Sequence, residues 1–398
     1  MFKSALAAVH GRACVVRALA ARSVDGPIEL IALGKAAQAM TEGAIDALGA
    51  AVSGGLVVSK KGHLDAPWLA VHGLTAMTGG HPLPSAASLA AGQSLCARLA
   101  GSEAISRLFL ISGGTSSLVE QPVAGLGLAE LERANDWLLS SGLPIGAVNL
   151  VRKSLSRIKG GGLLRWLELG RTEALAISDV PGDDVAVIGS GLLVAEPALA
   201  ERVAQLELPE WLRDWVARGL AERGALPTGT APTRVIASLD NARRAAVAEA
   251  LARGLAAHEH RELLAGEAAI CGAELGRRLR DGPRGIHIWG GETTVRLPES
   301  PGRGGRNQHL ALAAARVIAG RSDCALLSVG TDGTDGPTDV AGALVDGGTL
   351  ARAAERGFDA ADALRRADAG SLLEASGDLV RTGATGTNVM DLVIGLKG

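Results

Sequence analysis

The chain has 398 residues, 47% of them hydrophobic and 21% charged, with a formal net charge of −2. That content buries a core and excludes a disordered chain, and the length suits two domains of ordinary size. With no global basic field, 2% aromatic residues and no Tyr, base stacking and a polyanion partner are excluded, so no nucleic acid is expected.

Residues 1–23, MFKSALAAVHGRACVVRALAARS, carry Arg and Ser but no acid, as transit peptides do. Arg12 interrupts any signal-type apolar run, and the pattern predicts an amphipathic helix ahead of the first strand. No stretch approaches the roughly 18–20 apolar residues of a membrane span, so no membrane partner is expected. The cysteines Cys14, Cys96, Cys271 and Cys324 are far apart, with no CxxC pair. Reduced thiols and a cytoplasmic protein are the expectation.

IELIAL at 28–33 reads as a buried strand that ends in Gly34 and Lys35 and leads into a helix over 36–48. Strands are predicted at 55–59 and, more weakly, 68–72. Ser85 reads as the N-cap of a helix through Ala100. LFLIS at 108–112 is a strand followed at once by GGTSS, 113–117. Helical patterns cover 127–139 and 145–158, the latter running into Lys159 and three glycines. EALAIS at 173–178 is a strand that enters DVPGDD, 179–184.

From 196 to 224 the chain reads as helical, with Trp211 and Trp215 four apart on one face, a spacing that suits core packing. LPTGTAPT at 226–233 is the linker candidate. A second series follows: a strand at 234–239, a long helical region to Arg280, a strand at 285–289 entering GGETT, and GRGGRNQ at 302–308 before a helix over 309–319. A strand at 324–329 leads into GTDGTDGPTD, 330–339, and TGATGTNVMDLVIGL ends in a strand. Alternating strands and helices predict an α/β fold in two domains with largely parallel sheets, divided at 1–230 and 231–398.

In open parallel sheets ligands sit at the carboxyl ends of strands. The five segments that follow strands here, GK at 34–35, GGTSS, SDVPGDD, GGETT and GTDGTDG, are rich in glycine with hydroxyls, carboxylates or a lysine. Glycine lets backbone N–H groups approach phosphate, and carboxylates hold Mg²⁺ with its waters. GRGGRNQ adds two arginines and an asparagine at a helix start, a further anion-binding candidate. No GxGxxG and no complete Walker A occurs, which disfavours a dinucleotide dehydrogenase and a P-loop enzyme. For phosphoryl transfer, Lys35 or Arg306 neutralises the transferring group, and Asp179 or Asp183 accepts the hydroxyl proton or binds Mg²⁺. The Arg306 fork also suits a substrate carboxylate.

Taken together the segments resemble the glycerate 2-kinase family, which has an N-terminal Rossmann-like domain and a C-terminal MOFRL domain. The resemblance rests on ALGKAAQAM (32–40), NLVRKSLSRIKGG (149–161), SDVPGDD (178–184), GGETTV (290–295), GRGGRNQ, GTDGTDGPTDVAGALVD (330–346) and TGATGTNVMDL (382–392), in family order. It implies a Rossmann-like, mostly parallel N-terminal sheet with flanking helices and a C-terminal α/β domain with a mixed sheet. It implies ATP- and Mg²⁺-dependent phosphorylation of D-glycerate to 2-phosphoglycerate in the interdomain cleft, by a monomer or homodimer. Lys35, Asp179 and Arg306 fall on the family's catalytic lysine, acid and arginine, with Arg306 expected to face the other two and Arg303 to lie towards solvent. Ser112, Gly113, Gly114, Thr115, Ser116, Lys159, Glu292, Asn307, Asp332, Thr387 and Asn388 are the expected nucleotide contacts, and Asp183 the metal ligand.

Five positions depart from the family pattern. Thr115 stands where a glycine is usual, SGLL at 190–193 replaces SGPT, Ser154 replaces a histidine, and Ala384 replaces a proline. A divergent hydroxy-acid substrate, a hydroxypyruvate reductase and a non-catalytic metabolite sensor are the competing readings.

Overall fold

The run IELIAL forms β1 (Ile28–Leu33), and every residue of it is buried, Glu29 included. A charged group tolerates that position because Arg107 stands opposite it in register on β4 (Ser106–Ile111), its Nε donating to Glu29 Oε2 at 3.0 Å. The remaining carboxylate oxygen accepts from Arg98 Nη1 at 3.2 Å. Removing one partner strands the other in low dielectric. Glu29→Ala is therefore expected to cost about 3–5 kcal/mol, read by denaturant unfolding.

The structure, a computed structural model, describes residues 1–20, 26–101, 105–227 and 230–398. Chain contacts divide it into two units: Gly11–Ile236, and Met1–His10 with Ala237–Gly398. The proposed linker at 226–233 lies partly outside the described residues, as does the end of the opening segment.

In the first unit β1 pairs in parallel with β2 (Val52–Lys60) and β4, β2 with β3 (Leu74–Gly79), and β4 with β5 (Thr172–Ile177); β6 (Thr233–Ala237) closes the edge. The strand order is 3-2-1-4-5-6, the doubly wound order with its switch point where β1 meets β4. Ile31, Leu33, Leu56, Val58, Phe109 and Ile111 alternate along these strands into one core. A second apolar cluster joins the helices Leu128–Ser140, Ile145–Ser154 and Glu210–Arg223, with Trp211 and Trp215 packed at its margin.

The second unit is a mixed sheet in the order β11-β10-β9-β12-β8-β7, built from β7 (Ala257–Leu264), β8 (Gly285–Gly291), β9 (Cys324–Gly330), β10 (Gly342–Asp346), β11 (Leu379–Val380) and β12 (Asp391–Lys397). β7 and β8 are parallel, and β12 inserts antiparallel to both β8 and β9. The helices Ala268–Asp281 and Arg306–Ile318 pack on it through Leu275, Leu279, Leu310 and Ala314.

Local chemistry overrode the sequence pattern in four places. The opening segment is two helices, Phe2–Val9 and Gly11–Leu19, because His10 is extended (ψ 127°) and the two pieces belong to different units. Residues 68–71 lie in a helix, Ala66–Val71, with His72 at its end, since Asp65 caps it by accepting from the Trp68 N–H at 3.0 Å and Pro67 sits in its first turn; the strand comes next, as β3. The helical stretch 196–224 is broken into Leu199–Ala204 and Glu210–Arg223 around Pro209. The long helical region to Arg280 hides β7, whose AHEHRELL is half-exposed along a sheet edge and so lacks an apolar run. There His258 and His260 stack with His287 and Trp289 of β8.

Candidate functional site

The switch point of the first unit is built from two strand ends that brace each other. After β1, the Lys35 N–H donates to Gly113 O at 2.9 Å; after β4, the Ser112 N–H donates to Leu33 O at 2.9 Å. Ser112 Oγ accepts from the Ala36 N–H at 3.0 Å and is fully buried, so it serves the turn and not the cavity. Gly34 has φ +117°, and a Cβ on it would lie 2.3 Å from Ser112 Oγ, so only glycine permits this approach. Half-buried Lys35 leaves the turn along Gly114, its Cγ 3.2 Å from where a Gly114 Cβ would stand.

Thr115 departs from glycine without crowding the turn. It opens the short helix Thr115–Leu118, and its hydroxyl donates to Ser112 O at 2.7 Å, so the side chain is buried. Ser116 Oγ instead meets Ser190 Oγ at 2.7 Å. Ser190 holds φ +63° between two glycines, the kind of backbone strain that collects at functional sites. Leu192 and Leu193, the altered end of SGLL, are core residues. Asp179 and Asp183 follow β5 on the segment 178–184, both half-buried, with Asp183 at φ +56°. Parallel pairing of β1, β4 and β5 thus sets Lys35, residues 112–116 and Asp179 at the carboxyl ends of three neighbouring strands.

Lys159 is 3% exposed and ion-paired with Glu120, whose other oxygen accepts from Ser156 Oγ at 2.6 Å. Both ions line a cavity of about 250 Å³ whose wall also carries Gly114, Ser116, Ser190 and Arg152. Glu120 had no signal in the sequence, and Arg152 had only its place in the segment NLVRKSLSRIKGG.

In the second unit the GRGGRNQ segment starts its helix earlier than its pattern predicts, with Arg306, Asn307 and Gln308 as the first turn. Two of the free N–H groups of that turn, those of Asn307 and Gln308, are already engaged. Asp335 Oδ1 accepts from the Asn307 N–H at 3.0 Å and Oδ2 from the Gln308 N–H at 2.9 Å, with Gln308 Nε2 adding 2.9 Å. A Cβ on Gly305 would meet the Asp335 carboxyl carbon at 2.4 Å. A side-chain carboxylate of the chain itself therefore takes the helix start that an external anion would use.

Arg306 forms a bidentate pair with Asp391 (Nε–Oδ2 2.6 Å, Nη2–Oδ1 3.0 Å) and reaches Glu292 with Nη1 at 2.7 Å. Burial acts against its charge, but Asp391 and then Glu292 outweigh that and raise its pKa above the ordinary value. Asp391 opens the apolar strand β12, between Gly291 of β8 and Gly330 of β9; its signals in the sequence were its place in TGATGTNVMDL and that of a lone acid at the head of DLVIGL. Arg303 lies outward and pairs with Glu374. Asn307 accepts from Ser328 Oγ at 2.7 Å, Asp332 accepts from the Thr334 N–H at 2.8 Å, and Thr387 donates to Val9 O at 2.7 Å. Asn307 and Thr387 are thus tied into the scaffold; Asp332 and Asn388 are buried as well, on the segments that follow β9 and precede β12.

Burial pushes Asp335 up to about 6, opposed by the N–H groups of Asn307 and Gln308 and helped by Asp391. The folded value lies above the unfolded one, so the fold binds the extra proton. This contribution to stability is full below the ordinary carboxylate range and is lost as pH rises through about 6. Thermal melts of wild type and Asp335→Asn are expected to show wild type gaining on the variant as pH falls from about 7.5 to about 4.5.

Residues 1–210 match a domain of unknown function (DUF4147), and residues 285–391 match the MOFRL family. The chain is 34% identical to the D-glycerate 2-kinase of Thermotoga maritima, over 99% of this chain and 96% of that one. It is 35% identical to the glycerate 2-kinase of Pyrococcus horikoshii, over 94% and 88%. The chain belongs to the glycerate 2-kinase family. The crystal structure of the Thermotoga maritima glycerate kinase superimposes with a TM-score of 0.84 at 32% identity, covering 100% of this chain and 97% of that one. A relative from Agrobacterium vitis, 37% identical over 92% of this chain and 98% of its own, is named a putative hydroxypyruvate reductase. As in other glycerate 2-kinases, the chain is thus an α/β enzyme with a parallel and a mixed sheet; no helix among its described residues is long and apolar enough to cross a membrane.

Proposed function

We propose that this member of the family transfers the γ-phosphoryl group of ATP to the 2-hydroxyl of D-glycerate, giving 2-phosphoglycerate and ADP. The observation that carries this reading is the braced turn at the switch point, where Lys35 and residues 112–116 share one edge with Asp179. Asp179 takes the hydroxyl proton as the substrate oxygen bonds to the γ-phosphorus and the bond to the β-phosphate oxygen breaks. Lys35 and Arg306, the lysine and arginine that the family resemblance marks as catalytic, stabilise the charge on the transferring oxygens. Arg306 suits this because Asp391 and Glu292 hold its fork in one orientation before any substrate arrives.

Magnesium fits the donor set. Among the described residues no group of three His, Cys, Asp or Glu is placed to cage a metal, and Mg²⁺ with phosphate needs only one or two carboxylates and its own waters. Asp183 is the residue assigned to hold it, where it would neutralise phosphate charge. A reductase that binds NAD(P)H on a sheet of this order needs a glycine-rich turn after β1 that seats a pyrophosphate, and here that turn reads Gly34-Lys35-Ala36-Ala37. Purified protein is expected to release ADP only when ATP, Mg²⁺ and D-glycerate are all present. NAD(P)H oxidation with hydroxypyruvate and no ADP release would overturn the kinase reading in favour of the reductase; ligand-induced melting shifts without either turnover would favour a sensor.

A further inference from the structure

The cavity beside Gly114 contains an arginine that the proposed reaction has not used. Arg152 stands in the last turn of the helix Ile145–Ser154 and is half-buried on the cavity wall. Its Nε donates to Asn135 Oδ1 at 2.9 Å, and the Asn135 amide is itself fixed, because Nδ2 donates to Leu131 O at 3.0 Å. The guanidinium is therefore held in one plane from behind. Its two terminal nitrogens have no acceptor among the described residues.

Charge balance points the same way. Of the ions on the wall, Lys159 and Glu120 neutralise each other in a buried pair, which leaves Arg152 in excess. Burial holds the Arg152 guanidinium below its ordinary pKa, and the Glu120 charge only partly offsets that. A partly desolvated cation with two unused donors is complementary to a carboxylate, which accepts from both at once. The space, about 250 Å³, is below the roughly 300–1,000 Å³ of drug-sized sites and suits a small metabolite. Gly114 forms both part of this wall and the surface along which Lys35 runs, so an acid anchored here has its hydroxyl end beside the phosphoryl-handling turn.

We infer that Arg152, oriented by Asn135, binds the carboxylate of the small hydroxy-acid substrate and sets the preference for an acid over its neutral analogues. This deepens the proposed function and rests on it for the identity of the acid. It also separates two arginines: Arg152 reads the carboxylate, and Arg306, already holding two carboxylates of its own unit, acts on the phosphoryl group.

The test measures D-glycerate and its neutral amide, glyceramide, as ligands by calorimetry and as substrates in the ADP-release assay, with wild type, Arg152→Gln and Arg152→Lys. Loss of a charged two-point contact is expected to weaken D-glycerate by about 10–100-fold in Arg152→Gln, with KM for ATP unchanged. Glyceramide should change little, so the preference for the acid collapses, and Arg152→Lys should recover part of it. An Arg152→Gln protein that keeps the wild-type preference, or one in which the KM values for ATP and D-glycerate rise together with a fall in melting temperature shared by Arg152→Lys, overturns the inference. The calorimetric arm separates it from the kinase reading. Binding of D-glycerate that depends on Arg152 without turnover would sustain the subsite and remove the kinase, whereas turnover with an unchanged preference in the variant would do the reverse.

Discussion

Arg306→Ala is expected to lower kcat/KM by about 10³-fold, the scale of losing an arginine that stabilises a transferring phosphoryl group. It is also expected to destabilise the protein, and the two effects have different origins. The Asp391 side chain is 6% exposed, and the guanidinium spans both of its oxygens. Removing the arginine leaves that charge without compensation. A fully buried pair would cost about 3–5 kcal/mol to break; since the Arg306 side chain is 35% exposed, water reduces this to about 1–3 kcal/mol. Adding Asp391→Asn removes the orphaned charge and should recover most of the lost melting temperature while leaving turnover low. Recovery of turnover in the double variant would mean that Arg306 is only a structural cation.

Lys35→Ala separates in the other direction. The lysine is positioned by backbone, through its N–H to Gly113 O and the Gly34 approach to Ser112, and none of those contacts involves its ammonium. The backbone turn is therefore expected to persist in the variant while kcat falls by about 10²–10³-fold. Lys35→Arg keeps the charge but spreads it over a planar fork, and should restore only part of the rate. Wild-type turnover in Lys35→Ala would remove the lysine from the chemistry.

The fold was legible wherever burial is uniform. IELIAL, LFLIS and EALAIS are central strands of a parallel sheet, and such strands are apolar on both faces. The edge strand β7 was not, because half-exposed His, Glu and Arg erase the period. The site divides in the same way. Segments that follow strands identify themselves by glycine and hydroxyls, which brought out Lys35, residues 112–116, Asp179 and Asp183. Partners fixed by sheet register or tertiary folding do not: nothing in the order of residues joins Arg306 to Asp391, Glu120 to Lys159, or Arg152 to Asn135. The helix start at GRGGRNQ shows the limit of a local motif, since its anion is supplied by Asp335, further along the same chain. Thr115 shows the converse. A Cβ that looks obstructive in sequence turns inward, and its hydroxyl closes the turn.

The proposed reaction is tested most directly by the position of the phosphate on its product. After incubation of the enzyme with ATP, Mg²⁺ and D-glycerate, phosphorus–proton correlation NMR should connect the new phosphorus to the C2 methine of glycerate. Correlation to the C3 methylene, or ADP release with no phosphorylated acid, would contradict it.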